Sequence, residues 1–429
     1  MADQLLGRSY RVRFLVLLLA ICTLTYVDRA VLSAVTQPLK VDLGFSDFQL
    51  GLLQGLSFAL LYATMGVPIG RLAERYSRIL ILAVAVAVFS IATFLCGFAS
   101  GFTQLFILRM IVGVGEAGFL APTSSLVADH FTAQRRASAM SIIMLGSPFG
   151  NAIGSMAGSW IADQWSWRWA FMAMGAPGFV LAALLLIMLR EPPRGLADGT
   201  SRTDKMPISF GNALRTVWQK PTYVHLLLGA TIATFGLVAI GQFQMLFFVR
   251  SHGLGLTQAG LIQGLSIGLS LSLGTLIGGF GSDWCARRDR RWSLWLPAIG
   301  VTLAAIFYAL GFSSHSLPAS IALLILGGIS LLTFYSPTYA MAQNLVGPRM
   351  RATSVAIISM CCGLVGSGLG PTWLGFASDQ IARHVGGPDA PAVGIRYALV
   401  SVTVVLLWAA VHYLLAARSL SRDMAAHDR

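Results

Sequence analysis

Runs of about 20 apolar residues recur along almost the whole chain, and they constrain the fold more than any other feature. A helix of about 20 apolar residues is long enough to cross the hydrocarbon core of a bilayer. Charged residues make up only 11% of the sequence, against about 25% in soluble proteins. We therefore predict an all-α membrane protein with twelve transmembrane helices, at roughly 12–34, 47–70, 79–99, 103–127, 138–161, 168–189, 223–249, 257–281, 292–312, 318–342, 353–378 and 393–416.

The formal net charge of +13 is compatible with a nucleic-acid partner, but the distribution of the basic residues argues against one. Lys and Arg cluster in every second loop, which is the positive-inside pattern of membrane proteins. With the N-terminus in the cytoplasm, 23 of the 30 basic residues lie on the cytoplasmic side. We therefore expect a multi-pass membrane protein with both termini cytoplasmic and no nucleic-acid partner.

One segment, 191–221, interrupts the apolar rhythm with several prolines and mixed charge. Pro192 and Pro193 cannot continue the helix that precedes them, because proline lacks the backbone N–H that a helix needs. This predicts an N-terminal bundle over 1–190, a cytoplasmic linker over 191–221 and a C-terminal bundle over 222–429.

The two halves also resemble each other in sequence at an offset of 215 residues. Pro122-Thr123 matches Pro337-Thr338, and Arg136-Ala137 matches Arg351-Ala352. Parallel six-helix repeats are the plan of the major facilitator superfamily, whose substrate site lies at mid-membrane between the halves. The repeat therefore predicts two pseudo-symmetric six-helix bundles of this kind.

The loop between spans two and three reads Gly-Arg-Leu-Ala-Glu-Arg-Tyr-Ser-Arg from Gly70 to Arg78. It resembles the cytoplasmic signature of the same superfamily, with Glu74 in place of Asp and Ser77 in place of Gly. A degenerate copy follows span eight. Carboxylates at helix ends that meet arginines can hold one closed arrangement until the halves rock apart; the alternative is that these arginines only set topology. The predicted gate comprises Gly70, Glu74, Arg75, Arg78, Asp129, Arg135, Arg136, Asp283 and Arg287.

Four charged residues fall inside predicted spans: Asp28 and Arg29 in the first, and Arg109 and Glu116 in the fourth. A charge at the centre of a bilayer costs about 2.5–3.5 kcal/mol on insertion scales, so such residues usually face a partner or a watery cavity and mark a transport pathway. We expect an Asp28–Arg109 contact and an Arg29–Glu116 contact. A carboxylate that loses its arginine inside the membrane takes up a proton more readily. Asp28 and Glu116 are therefore predicted to couple transport to protons; the alternative is a static structural pair.

Spans five and eleven are rich in glycine, with Gly146, Gly150, Gly154 and Gly158 spaced four apart in span five. Small residues on one face allow transmembrane helices to approach closely. A Gly-Pro motif in span five also resembles that of antiporters of the superfamily. Close packing explains the glycines equally well, so both interpretations stand.

Several classes of function find no support in the sequence. The five cysteines are an odd number without metal-type spacing, which argues against a disulfide framework or a zinc site. The sequence shows no nucleotide-binding loop and no Ser or Cys with a plausible His partner. We therefore expect no enzymatic activity, no cofactor and no bound metal, and any transport should be secondary.

Four stretches of the N-terminal half resemble the Spinster family, a branch of the major facilitator superfamily. They are Val27-Asp28-Arg29, the run Arg-Met-Ile-Val-Gly-Val-Gly-Glu-Ala from Arg109, Ala121-Pro122-Thr123, and the run Arg-Glu-Pro-Pro-Arg-Gly from Arg190. Animal members export sphingosine 1-phosphate or move lysophospholipids out of lysosomes. The C-terminal half matches mainly in architecture, and the short loops and tails are typical of a bacterial member.

The resemblance implies a monomeric transporter of the inner membrane that carries lysolipid-like, anionic amphipaths by proton-coupled alternating access. Arg29 and Arg109 would then meet the headgroup. Phe235, Gln242 and Tyr335 are candidates for binding the rest of the substrate, although ordinary helix packing explains each of them as well. The alternatives are a proton-coupled importer of small organic anions such as sugar acids, a multidrug exporter, or a non-transporting receptor on the same fold.

Overall fold

The computed structural model describes residues 7–194, 196, 210–346 and 350–425, and every regular element within them is helical. The helices are α1 Arg8–Ala34, α2 Thr36–Leu43, α3 Asp47–Gln54, α4 Leu56–Arg75, α5 Arg78–Cys96, α6 Phe102–Ala117, α7 Leu120–His130, α8 Ala133–Met144, α9 Gly146–Gln164, α10 Trp167–Gly175, α11 Pro177–Met188, α12 Phe210–Trp218, α13 Pro221–His252, α14 Leu256–Ala286, α15 Trp292–Ser313, α16 Leu317–Leu332, α17 Tyr335–Asn344, α18 Arg351–Cys361, α19 Gly368–Val385 and α20 Ala390–Ala425. A π-helical turn, Cys362–Ser367, joins α18 to α19.

Eleven helical segments of the described chain are long and apolar enough to cross a membrane. Several consist of two helices in series, such as α3–α4, which meet at Gly55, and α6–α7, which meet at Gly118 and Phe119. The α8–α9 segment, where the fifth span was predicted, falls outside the eleven; it is rich in Gly and Ser and divides at Leu145. With α8–α9 the segments correspond to the twelve predicted spans.

Packing divides the chain into two compact units that do not follow sequence order strictly. Unit 1 holds the described residues within 1–45, 57–205 and 255–264, and unit 2 holds those within 46–56, 206–254 and 265–429. The predicted division at 190 and 222 therefore stays a prediction. The predicted linker contains α12, and residues 195 and 197–209 of that linker lie outside the described residues.

The close approach of α9 to α1 organises unit 1. A Cβ at Gly150 would lie 2.3 Å from the carbonyl oxygen of Thr23, and one at Gly154 would lie 2.7 Å from that of Val27. No side chain fits at such distances, so the two backbones touch because the glycines have none. The packing interpretation of the span-five glycines explains their positions. It also fixes the part of α1 that carries Asp28 and Arg29.

A polar network at the start of α3 organises one end of unit 2. Arg250 donates two hydrogen bonds to the buried Asp47 carboxylate, at 2.8 and 2.9 Å. Ser378 donates a third at 2.7 Å. Asp379 accepts from the backbone N–H groups of Asp47 and Phe48, at 3.0 and 2.8 Å. A carboxylate at a helix N-terminus accepts hydrogen bonds from the free N–H groups there and interacts favourably with the helix dipole. These contacts hold α3 against α13 and α19.

Candidate functional site

Unit 1 contains two arginine–carboxylate pairs formed between α1 and α6. Arg109 Nη1 lies 2.7 Å from Asp28 Oδ2. Arg29 contacts Glu116 Oε2 through Nη2 at 2.6 Å and donates to it through Nε at 2.8 Å. Both contacts expected from the sequence are therefore present. The roles predicted for the four residues remain proposals.

Two glycines of α6 bring the part of the helix that carries Glu116 against α4 and α5. A Cβ at Gly113 would lie 2.6 Å from the carbonyl oxygen of Phe58 on α4, and one at Gly115 would lie 2.7 Å from the backbone nitrogen of Phe89 on α5. The alternating glycines of the Val-Gly-Val-Gly-Glu run thus let α6 pack against two neighbours at once. Glu116 is one residue from the end of α6, where the helix dipole disfavours a carboxylate. It therefore depends on the guanidinium of Arg29.

The Asp28–Arg109 pair is enclosed by protein on all sides. The side chains of both residues are 2% exposed. Thr93 on α5 donates a short hydrogen bond to the second carboxylate oxygen of Asp28. Asp28 therefore has a partner on each oxygen, and a buried charge pair with this degree of hydrogen bonding is costly to break.

The Arg29–Glu116 pair is open on its arginine side. The side chain of Arg29 is 27% exposed, whereas that of Glu116 is fully buried. The guanidinium carbon of Arg29 lies 4.5 Å from the ring centre of Phe58 and 5.2 Å from those of Tyr26 and Tyr62. We call Tyr26, Phe58 and Tyr62 the aromatic cage. Cation–π contact of this kind favours a positive charge without occupying its hydrogen-bond donors.

Unused hydrogen-bonding capacity remains at the pairs. Within the described residues, Glu116 Oε1 and Arg109 Nε are buried and have no hydrogen-bond partner. A buried polar atom without a partner costs about 1–3 kcal/mol. Such atoms are rare in native proteins. Glu116 Oε1 can still accept a hydrogen bond or a proton, and Arg109 Nε can still donate one hydrogen bond.

The three candidates of the C-terminal half lie in unit 2. Phe235 and Gln242 are both half-buried on α13, and the backbone of Phe235 contacts α19 at Gly370. Tyr335 begins α17, is exposed, and has its ring 5.0 Å from that of Tyr339. Their role in substrate binding stays a prediction.

Arg78 is the centre of the predicted gate region in unit 1. It is almost completely buried. Its guanidinium makes a short contact with the Asp129 carboxylate and donates to Glu191 at 2.6 Å and to the hydroxyl of Ser125 at 2.9 Å. A further bond at 3.1 Å reaches the carbonyl of Pro192. Arg78 thus ties the start of α5 to α7 and to the chain that follows α11.

The other predicted gate residues are more dispersed. Glu74, Arg75 and Arg135 are exposed, and no described contact pairs them. Arg136 donates to the carbonyls of Phe131 and Ala128, at 3.1 and 2.7 Å. A Cβ at Gly70 would lie 3.7 Å from that of Ala121, an ordinary contact distance, so close helix contact does not require glycine at position 70. Asp283 and Arg287 line a cavity of unit 2.

Glu191 is a functional candidate that the sequence reasoning missed. It accepts from Arg78, from the hydroxyl of Ser77 at 2.9 Å and from the backbone N–H of Ile79 at 3.0 Å, and so caps α5. Burial alone would raise the pKa of Glu191, but these hydrogen bonds together hold it below its ordinary value. Its position directly before Pro192-Pro193, in a run shared with the Spinster family, was the available signal.

Thr93 and the aromatic cage were also missed. Phe58 and Tyr62 are four residues apart and share one face of α4, while Tyr26 precedes Arg29 by three residues on α1. Side chains three or four apart on a helix are neighbours, so this spacing was the signal for the cage. Thr93 carried no such signal, because only the tertiary packing of α5 brings it to Asp28. Among the described residues, no group of three or more His, Cys, Asp or Glu could hold a metal ion.

Comparison with known proteins places this geometry in a family. The sequence profile of the Major Facilitator Superfamily matches residues 17–371. An MFS-type efflux pump of Mycolicibacterium smegmatis is 31% identical over 94% of this chain and 91% of its own length. Protein spinster homolog 1 of Xenopus tropicalis is 28% identical, with 89% and 76% covered. The sphingosine-1-phosphate transporter SPNS2 of Mus musculus is 26% identical, with 94% and 76% covered.

Solved structures of similar fold point to the same family. A bacterial homologue of the human lysosomal transporter Spinster, in an inward-facing and unoccupied conformation, matches with a TM-score of 0.89 and 30% identity over 97% of this chain and 99% of that one. Its occupied form matches with a TM-score of 0.86. The twelve-helix fold and the Spinster resemblance are thereby confirmed, and the family consists of transporters and not enzymes. The chain is a multi-pass membrane transporter that belongs to the Spinster branch of the major facilitator superfamily.

Proposed function

We propose that this transporter moves lysolipid-like, anionic amphipaths by alternating access coupled to protons. The observation that carries the proposal is the open Arg29–Glu116 pair, in which a caged arginine keeps 27% of its side chain exposed. A phosphate or carboxylate headgroup can approach that exposed edge without breaking the enclosed Asp28–Arg109 pair. Relatives named for Spinster and for sphingosine-1-phosphate transport support the substrate class.

The proton enters the cycle through Glu116. An anionic headgroup that binds Arg29 competes with the Glu116 carboxylate for the same guanidinium. Glu116, fully buried and already lacking a partner on Oε1, then becomes an unpaired charge in a nonpolar environment and takes up a proton. Departure of the headgroup restores the ion pair and releases the proton. Headgroup and proton therefore bind in the same state.

The apolar part of the substrate needs a nonpolar surface. The aromatic cage offers one next to the headgroup position, because aromatic faces contact both a cation and an acyl chain. Phe235, Gln242 and Tyr335 remain our candidates for the C-terminal contribution. A proton-coupled cycle of this kind needs no cofactor, and we propose a monomer as the working unit.

Two networks are suited to hold alternative states of the cycle. The Arg78–Asp129–Glu191 network closes one end of unit 1, and the Asp47–Arg250 network closes one end of unit 2. Buried charge pairs have discrete broken and formed states. We propose that Arg78 and Asp129, with Glu74, Arg75, Arg135 and Arg136 around them, form the cytoplasmic gate. The distribution of basic residues supports an orientation with both termini in the cytoplasm, and we propose placement in the inner membrane.

Uptake of labelled lysophospholipid into proteoliposomes, with and without an imposed pH gradient, tests the proposal. We expect gradient-dependent accumulation in the wild type and gradient-independent, slower exchange in Glu116→Gln. Asp289→Asn, the same acid-to-amide change at an exposed site, serves as the matched control and should behave as wild type. Equal gradient dependence in wild type and Glu116→Gln would remove Glu116 from the mechanism.

A second candidate is export of other amphipathic compounds, which the similarity to an MFS-type efflux pump favours. Competition assays separate the candidates. A lysolipid carrier should be inhibited progressively less as the acyl chain of the competitor is shortened, and little by cationic amphipaths. Strong inhibition by cationic drugs would favour the exporter, and inhibition by short sugar acids would favour an importer of small organic anions.

A further inference from the structure

A cavity of about 690 Å³ lies within unit 2, at the ends of α14 and α17 and the starts of α15 and α18. Three arginines line it, Arg287, Arg290 and Arg351, together with one carboxylate, Asp283. Ser282, Ser293 and Ser336 add hydroxyl groups. The volume is within the range of about 300–1,000 Å³ that is typical of ligand sites.

The internal repeat explains why this space is open. At the offset of 215 residues, Arg78 corresponds to Ser293, and the two α7 residues that hold it, Ser125 and Asp129, correspond to Ala340 and Asn344. All three counterparts line the cavity. In unit 1 the equivalent position is filled by the Arg78 guanidinium and its partners. In unit 2 the residues at these three positions are smaller and uncharged, and Arg287, which the degenerate signature copy places opposite Arg78, lines an open cavity there.

The charge balance differs between the two places as well. The positive charge of Arg78 is met by the carboxylates of Asp129 and Glu191. In the cavity, three positively charged arginines are accompanied by a single carboxylate, that of Asp283. Within the described part of the chain none of the three arginine side chains makes an ion pair or hydrogen bond. Arg288 next to them is different, because its guanidinium stacks on Trp284 at 4.9 Å and it does not line the cavity.

We propose that this cavity binds a phosphate group, supplied by the headgroup of an anionic phospholipid or by a free phosphate. Arginine is suited to this task because its planar guanidinium donates paired hydrogen bonds to phosphate oxygens. The bound anion takes the place that Asp129 and Glu191 have in unit 1, and it ties α14, α15 and α18 together. The site shares no residue with the Asp28, Arg29, Arg109 and Glu116 cluster, so it is a second anion site beside the proposed transport function.

Calorimetric titration of the purified, delipidated full-length chain in neutral detergent tests the proposal, with two probes: dihexanoyl phosphatidylglycerol and inorganic phosphate. All variants are made in an Arg29→Gln background, so that failure of the proposed transport site cannot be mistaken for failure of this one. The triple variant Arg287→Gln, Arg290→Gln, Arg351→Gln should lose at least about tenfold in affinity, because a hydrogen bond to a charged group typically exceeds the free energy of one tenfold step. Arg288→Gln, the matched control, should bind as the background does.

Ser293→Glu provides an independent variant, because it keeps all three arginines and fills the cavity with a competing carboxylate; it should also abolish binding. Binding of phosphatidylglycerol alone would identify the lipid headgroup as the source, and competition by inorganic phosphate would identify the phosphate group itself. Equal losses in the triple variant and in Arg288→Gln would overturn the proposal. Undiminished binding in the triple variant and in Ser293→Glu, or binding of neither probe to the Arg29→Gln background, would overturn it too.

Discussion

The two arginine–carboxylate pairs of unit 1 share helices α1 and α6 but differ in what surrounds them. Asp28 and Arg109 are both 2% exposed, and Thr93 completes the bonding of Asp28. Arg29 is 27% exposed within its aromatic cage, and its partner Glu116 has one oxygen without a partner among the described residues. The first pair is enclosed and largely satisfied, while the second is accessible and incompletely satisfied.

The difference indicates how one helix pair can combine stability with binding. An enclosed pair holds α1 and α6 in register, because separating it would leave two buried charges unpaired. An accessible pair can exchange its carboxylate for a ligand at smaller cost, because the arginine keeps its cage contacts throughout. We therefore assign the structural role mainly to Asp28–Arg109 and the binding role mainly to Arg29–Glu116, with both carboxylates still candidates for proton coupling.

The largest expected effect is on stability, from Arg109→Gln. It leaves Asp28 buried without its cation, and breaking a buried pair in this way typically costs about 3–5 kcal/mol. Thermal unfolding in detergent measures the loss. Arg168→Gln is the matched control, because Arg168 pairs with Asp42 at the surface, where such pairs contribute about 0–1 kcal/mol. Similar losses in the two variants would contradict the structural role of the enclosed pair.

A second prediction concerns affinity and uses Arg29→Lys. Lysine keeps the charge but loses the planar fork and much of the stacking in the cage. We expect lysophospholipid affinity to fall by about tenfold to a hundredfold, or about 1.4–2.8 kcal/mol, with little change in unfolding temperature. Binding is measured by titration, and Arg168→Lys is the control. An unfolding temperature that falls as far as in Arg109→Gln would show that the two pairs do not differ in role.

The aromatic cage gives a smaller effect. Phe58 is the ring nearest to Arg29, at 4.5 Å, and it also lies 5.9 Å from Arg109. Phe58→Leu keeps an apolar side chain but removes the cation–π contact, so we expect affinity to fall about threefold to tenfold. Phe98→Leu, at an exposed ring of the same unit, should leave affinity unchanged. If Phe58→Leu also binds like the wild type, the cage does not prepare Arg29 for ligand.

The smallest effect is expected at Glu191, which lies outside the membrane spans and pairs with Arg78 at the start of α5. Hydrogen bonds hold the pKa of Glu191 below its ordinary value in the folded chain, so the carboxylate stabilises the fold above the pKa of the unfolded chain and loses that effect as the pH falls through the folded value. Glu191→Gln should therefore unfold at a lower temperature than the wild type at pH 7. The loss in free energy of unfolding should be less than about 1 kcal/mol, because solvent screens the pair. The difference should vanish in strong acid. A deficit that persists there would show that packing, and not the charge, is responsible.

The sequence predicted most of the fold because transmembrane helices follow directly from apolar run lengths. The predicted spans correspond to the observed segments, including the polar α8–α9 segment that composition alone does not identify. The short helices α2 and α12 were not predicted, since both lie outside the apolar runs. The assignment of 46–56 to unit 2 depends on contacts such as Asp47–Arg250, between residues 203 positions apart, which no local pattern reveals.

The part of the site that could be predicted from the sequence consists of charged residues within apolar spans. Asp28, Arg29, Arg109 and Glu116 stood out because charged side chains are rare within apolar spans, and their pairing followed from depth along the helices. The sequence did not reveal that the two pairs differ in exposure. Arg29 is partly exposed and Arg109 is enclosed because of how α4 and α5 pack around them. Glu191 was overlooked for a similar reason: it lies in a linker, and its importance comes from the buried Arg78 that it contacts.

The most direct test of the central claim is the number of protons exchanged when lysophospholipid binds. Calorimetric titration at constant pH, in buffers of different ionisation enthalpy, measures this number for the purified protein. The account predicts proton uptake in the wild type, because the headgroup displaces Glu116 from Arg29, and no uptake in Glu116→Gln. Binding without proton uptake in the wild type, or the same uptake in Glu116→Gln, would contradict it.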